Sequence, residues 1–154
     1  MAVFLADEQD LEVDADDLVA LAGHVVDQQR VPPDMELSLL LVDRDTIAGL
    51  NEAHLGKQGP TDVLAFPIDE PGESPPDVPA ILGDVVLCPA VAYEQASRFG
   101  RSPHEEIRLL TVHGILHLLG MDHAEPEEER EMFGLTDRLL ASYGASSSTG
   151  RRER

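Results

Sequence analysis

The chain has 154 residues, 42% of them hydrophobic, enough for one domain that hides roughly 70% of its unfolded surface on folding. Its single cysteine, Cys88, excludes an intrachain disulfide and any multi-cysteine metal knot. Eleven basic against thirty acidic residues leave a net charge of −19. Such a surface repels nucleic acid at long range and excludes DNA-coating and membrane-surface roles. An RNA substrate remains open, because a bound cation or a few arginines can invert the field over one cleft.

The start of the chain, MAVFLAD, has neither the basic residues nor the cleavage site of a secretory signal. The longest nearly apolar stretch, Leu109–Met121, contains two histidines and is too short to span a bilayer. A soluble, cytoplasmic protein is therefore expected.

Met1–Ala6 is a short apolar first strand. Asp14 caps a predicted helix over Ala15–Gln29, with Leu18, Leu21, Ala22, Val25 and Val26 at helical spacing. Val31-Pro32-Pro33 ends it. The run ELSLLLV (Glu36–Val42) reads as a well-buried strand, and Asp45–Leu55 as a second helix that Gly56 stops. Thr61–Phe66 and Gly83–Cys88 are the next strands. The proline-rich, acidic segment Pro67–Pro79 between them reads as a mobile surface loop or a flap.

Pro89 opens a third helix that Gly100 ends. Ser102-Pro103-His104-Glu105 has the serine cap, first-turn proline and glutamate of a capping box, so a fourth helix runs from there to Leu119. A fifth covers Pro126–Ser142, and Ala145–Arg154 reads as a disordered tail. The order β-α-β-α-β-β-α-α-α predicts an α/β (α+β) fold. It is one domain over residues 1–144, a small mixed four-stranded sheet packed with about five helices.

The chemistry concentrates in HGILHLLGMDH, where His113, His117 and His123 are half of the six histidines. His113 and His117 are four apart, so on a helix they point the same way from successive turns. Gly120 permits a left-handed exit that returns His123 toward them. Three neutral imidazoles around one point suit Zn²⁺ with an open position for water, one ion per chain. The competing reading is three unrelated histidines, some satisfied within the core. The helix is nearly apolar all round, however, and imidazoles buried there need partners that a shared metal supplies.

The spacing HxxxHxxGxxH is also that of metzincin peptidases, which carry a glutamate general base directly after the first histidine. Here that position is Gly114. Water activation then falls to the metal, which favours phosphodiester over peptide chemistry.

The segment resembles the signature of the YbeY family, HGxLHLxGxDH, at every fixed position. Leu50-Asn51, Gly56-Lys57 and PTDVLAFP (Pro60–Pro67) are similar to a second family block, and GDVVL (Gly83–Leu87) to a third. The resemblance implies a metal-dependent endoribonuclease with His113, His117 and His123 as zinc ligands. It also implies single-stranded RNA as substrate, in 16S ribosomal RNA 3′-end maturation and ribosome quality control, with ribosomal particles or proteins as partners. Two positions depart from the pattern: Leu55 stands where many members have an arginine, and Ala65 where they have a serine.

Lys57, Arg98 and Arg101 are the candidate replacements for the missing arginine, and no catalytic side chain is assigned. Asp122 fits either a residue that orients an imidazole or a turn residue. Asp62 and Asp84 fit turn or ladder-end roles. His24, His54 and His104 read as surface or packing residues, and Cys88 as a small core hydrophobe. Two further functions stay open, a metzincin-like metallopeptidase and a non-catalytic ribosome-assembly factor with structural zinc.

Overall fold

A computed structural model describes residues 2–73, 79–122 and 124–148. Strand β1 (Ala2–Glu8) leads to helix α1 (Ala15–Gln28), which begins where the Asp14 carboxylate accepts a hydrogen bond from the Asp17 N–H (3.1 Å). β2 (Met35–Val42) runs parallel to β1, so α1 is the crossover. α2 (Arg44–Leu55) ends where Gly56 takes a φ of 67°. β3 (Val63–Pro67) and β4 (Ala80–Leu87) pair antiparallel, and β4 lies parallel to β2, giving the order β1-β2-β4-β3. α3 (Pro89–Phe99), α4 (Pro103–Leu118) and α5 (Pro126–Ser148) follow. The mixed four-stranded sheet with five helices expected from the sequence is present among these residues.

Helices α1 and α4 cover one face of the sheet, and α5 packs on those two helices. Leu18, Leu21 and Val25 of α1 meet Leu37, Leu39 and Leu41 of β2, Ile115 and Leu116 of α4, and Met132 of α5 in the main core. Full burial of each such side chain is worth roughly 2 kcal/mol. β2, expected to be well buried, is so on one face, whereas Glu36, Ser38 and Leu40 of the other are only half-covered. The reason is uneven cover: α2 packs Ile47 against Val42, Leu64, Val86 and Cys88 at one end of the second face. Beyond it, Phe4, Ser38, Leu40 and Phe66 line an open hollow of about 580 Å³.

Several boundaries differ from the sequence reading: β1 runs on to Glu8, and β3, β4 and α5 differ for local reasons. β3 starts at Val63 rather than Thr61, because the Asp62 carboxylate takes the Val63 N–H (2.8 Å) while its carbonyl takes the Cys88 N–H (2.9 Å). The expected loop Pro67–Pro79 begins as ladder, with the Ile68 and Asp69 N–H groups donating to the Leu82 and Ile81 carbonyls. β4 correspondingly starts at Ala80 and absorbs a register shift opposite Glu36 and Leu37. Positions 74–78 of that loop lie outside the described residues. α5 continues to Ser148, past its expected end at Ser142 and into the expected tail. Residues 149–154 of the tail also lie outside the described residues.

One buried carboxylate ties the helical layer together. The Asp17 side chain is 7% exposed and accepts from Arg108 Nε and Nη2 (both 2.7 Å) and from the Tyr143 hydroxyl (2.8 Å). His104 Nε2 lies 2.5 Å from its Oδ2, so α1, α4 and α5 all meet at this group. Burial pushes the Asp17 carboxyl up, but hydrogen bonds from Arg108, Tyr143 and His104 outweigh it and hold the group well below the usual carboxylate range. Asp17→Asn leaves Arg108 without its counter-charge and is expected to lose about 3 kcal/mol of stability at pH 7. Because the folded-state carboxyl ionises below its unfolded value of about 3.9, this contribution is complete above that pH and fades as the pH falls through the folded value. Urea unfolding of both proteins at pH 7 and pH 3 checks it: the gap should be narrower in acid.

Candidate functional site

α4 is the element on which the site is built. Its start is secured by a reciprocal capping box, in which Ser102 Oγ accepts from the Glu105 N–H (3.1 Å) and Glu105 Oε1 accepts from the Ser102 N–H (2.8 Å). From there it runs over the β3–β4 pair, burying Ile107, Leu110, Val112, Ile115 and Leu116. Contact is tight at Gly114. A Cβ there would sit 2.5 Å from Val85 Cγ1 and 3.2 Å from Val63 Cγ2, so only glycine lets the helix lie this near the sheet.

His113 and His117 stand one turn apart along α4 and line the same cleft, of about 870 Å³. Its opposite wall is the edge strand β3, and its far rim is the end of α2 and the following loop, with Asn51 and Lys57. Asn51 is buried and donates from Nδ2 to the Gly59 carbonyl (3.0 Å), which shapes that loop. The His113 ring stacks on Phe133 of α5 with centroids 5.2 Å apart and planes at 14°.

Asp122 also lines the cleft, two residues after Gly120 with its φ of 94°. His123, the third expected ligand, lies outside the described residues. Among the described residues no three metal-ligating side chains come together. The donor set that is described, two imidazoles a turn apart with a carboxylate-bearing residue on the same cleft, fits a divalent cation of the zinc type.

The basic candidates separate. Leu55 lines the cleft and is 54% exposed; Lys57 lines it as the cation on the α2 side. Arg98 is 70% exposed in its side chain and lies 3.9 Å from Glu94. Arg101 lines a neighbouring hollow of about 520 Å³ that shares Asp62, Leu110 and His113 with the cleft. Its Nη1 donates to Glu106 Oε1 (2.8 Å), a side chain only 3% exposed. With the Gln95 amide nitrogen turned toward the carboxylates, it donates to Glu106 Oε2 (3.0 Å) and Asp62 Oδ2 (3.2 Å). This polar chain Arg101–Glu106–Gln95–Asp62 escaped the sequence reading, because its members come from α3, the α3–α4 connection, α4 and the residue before β3. A second glutamate in the first turn, on the side of α4 that also carries Leu110, was the available signal.

Asp62 holds the ladder end expected of it and joins that chain as well. Asp84 lies inside β4 opposite Phe66, and lines the hollow on the sheet's second face. Three other histidines are packing residues: His104 bonds Asp17, His24 Nε2 lies 2.7 Å from Ser142 Oγ, and His54 sits edge-on to Phe66 at 5.0 Å. His54 also lines the cleft. Cys88 is fully buried.

The family model described as "Endoribonuclease YbeY" matches residues 4–144. The chain belongs to that family. It is 53% identical to the endoribonuclease YbeY of Salinispora tropica, over 96% of this chain and 99% of that one. It is 49% identical to that of Nocardia farcinica, over 99% of this chain and 85% of that one. Among solved structures, TM1509 from Thermotoga maritima is similar with a TM-score of 0.61 and 27% identity, covering 100% of this chain and 96% of that one. Among the described residues no helix is long and apolar enough to cross a membrane.

The Gly114 contact is directly testable. Val85 is β-branched and stiff, so Gly114→Ala must displace α4 from β4 and should lose about 1–3 kcal/mol in urea unfolding. Gly114→Glu should not yield folded protein.

Proposed function

We propose that the chain is a zinc-dependent endoribonuclease that cuts single-stranded RNA. In this reading it matures the 3′ end of 16S ribosomal RNA and serves ribosome quality control in the cytoplasm, acting on precursor RNA within ribosomal particles. The observation that carries the reading is the pair His113 and His117 on one cleft beside an edge strand, in a chain of a family described as endoribonucleases. The working domain is residues 1–144.

His113, His117 and His123 would hold one zinc ion. When bound, it supplies a Lewis acid, a water whose pKa is lowered to about 7, and positive charge against an acidic protein. The chain's own residues contribute shape and position. β3 forms a straight wall along which an extended strand can lie, and Lys57 on the far rim offers a cation to the phosphate backbone. The buried face of α4 fixes both imidazoles on a rigid element, which is what preorganised ligation requires. The acidic surface suits basic ribosomal proteins as partners.

The peptidase reading is weakened by the same packing. A glutamate base directly after His113 has no room, because position 114 faces Val85 at contact distance. Without a carboxylate there, a peptide's poor amine leaving group lacks its proton donor.

Purified protein should contain one zinc per chain and cut short unstructured RNA, with activity lost to chelator and regained with metal. His113→Ala, His117→Ala and His123→Ala should each lose the metal and about 1,000-fold in cleavage rate. A triple-histidine variant that cuts as fast as the parent overturns the reading. Full binding to ribosomal particles without cleavage, with zinc bound, would assign the chain to assembly instead.

A further inference from the structure

The hollow beside the cleft is not used by the scheme above. It adjoins the cleft through Asp62, Leu110 and His113, which line both. Its mouth is aromatic: Phe99, the last residue of α3, is 63% exposed, and Phe133 on α5 is 44% exposed. The chain has four phenylalanines, so half of them flank this one mouth with apolar surface left open to water. The Arg101 guanidinium lies over the Phe99 ring, 5.4 Å from its centroid. Buried Glu106 pins that guanidinium from beneath, and Gln95 secures Glu106 in turn. Arg101 is thus positioned before any ligand arrives, with 41% of its side chain still exposed. The Phe133 ring stacks on His113, so an aromatic surface runs from the mouth of the hollow to the cleft.

We propose that this hollow is a nucleotide subsite for single-stranded RNA. Phe99 stacks a base, and Arg101 binds a phosphate of the strand next to the one held over His113 and His117. The proposal rests on the endoribonuclease reading and deepens it. An unpaired base offers a π-face that any exposed ring can stack, and a guanidinium plane adds to the stack or pairs with phosphate. In a chain of net charge −19, attraction for RNA has to be local; Arg101 is the cation of this lining, shared with Glu106 and faced by Asp62 and Asp137, so base stacking on Phe99 carries most of the affinity. The apolar part of the lining, Phe99, Leu109 and Phe133, suits the faces of a base, and Gln95 and Arg101 stand beside Asp62, Glu106 and Asp137 as its polar part.

The test uses the full chain and short single-stranded RNAs carrying 2-aminopurine at successive positions. In chelator, where nothing is cut, the parent should quench the fluorophore at one position. Phe99→Ala should abolish that quenching and weaken binding about tenfold, while Phe99→Trp should retain both. In zinc, Phe99→Ala should raise KM about tenfold with kcat nearly unchanged, and the penalty should vanish on an RNA shortened by the stacked nucleotide. Arg101→Lys keeps a charge beside Glu106 but loses the planar fork, and should raise KM without removing the quenching.

If Phe99→Ala binds and cuts long and short RNAs as the parent does, the subsite is overturned while the endoribonuclease reading stands. Loss of ribosomal-particle binding by Phe99→Ala with RNA binding intact would make the mouth a protein-docking patch and also overturn it. Position-specific quenching in a parent that never cleaves RNA would support the subsite and overturn the nuclease reading.

Discussion

A contact between α4 and the sheet that leaves no room for a Cβ is the one on which the site depends. At Gly114 the α4 backbone lies against Val85 and Val63 with no room for a methyl group. The histidine before this glycine and the one three residues after it are therefore held at a fixed height above the β3 edge. A side chain at position 114 would lift the helix, widen the cleft and move both imidazoles. One missing Cβ thus decides the packing distance, the cleft wall and the absence of a peptidase-type base together. The stiffness of the β-branched residues beneath makes the contact unforgiving.

Two buried polar groups keep that helix from sliding. Asp17 gathers Arg108, His104 and Tyr143 from α4 and α5 onto α1. Glu106, one turn into α4, binds Arg101 and, through Gln95, reaches Asp62 at the start of β3. Buried carboxylates left unpaired are costly, and each here is satisfied by charged or amide donors. The first network orients the helices with respect to one another, and the second connects α4 to the strand that walls the cleft. Arg101 is held in the hollow beside the cleft as a by-product of satisfying Glu106. In an acidic molecule, that is one of few places where positive charge is fixed beside the cleft.

Uneven cover of the sheet explains the rest of the surface. One face of the sheet is covered by α1 and α4, with α5 packed on them, whereas the other is closed only at the end that α2 reaches. A run such as ELSLLLV reads as well buried without saying which face is covered, because leucine occurs at positions of either parity. Burial is decided by which helices happen to cover each face, and hydropathy along one strand carries no information about that.

Element order, helix caps and the stops at Gly56, Gly100 and Gly120 were legible in the residues, because each depends on contacts within a few positions. So was the pairing of His113 with His117, since helical periodicity alone places them on one face. The parallel placement of β4 beside β2, the extension of the β3–β4 ladder into the proline-rich loop and the run of α5 to Ser148 were settled only by tertiary contacts. The same holds for the different surroundings of Arg98 and Arg101, only the second of which lines the hollow beside the cleft. Arg98 and Arg101 are alike as sequence, and only the position of buried Glu106, on another helix, distinguishes them. The sequence by itself determined the local elements and the metal-type spacing, through interactions between near neighbours. The tertiary structure alone decided what faces that spacing across the cleft, because those residues are brought in from three separate elements.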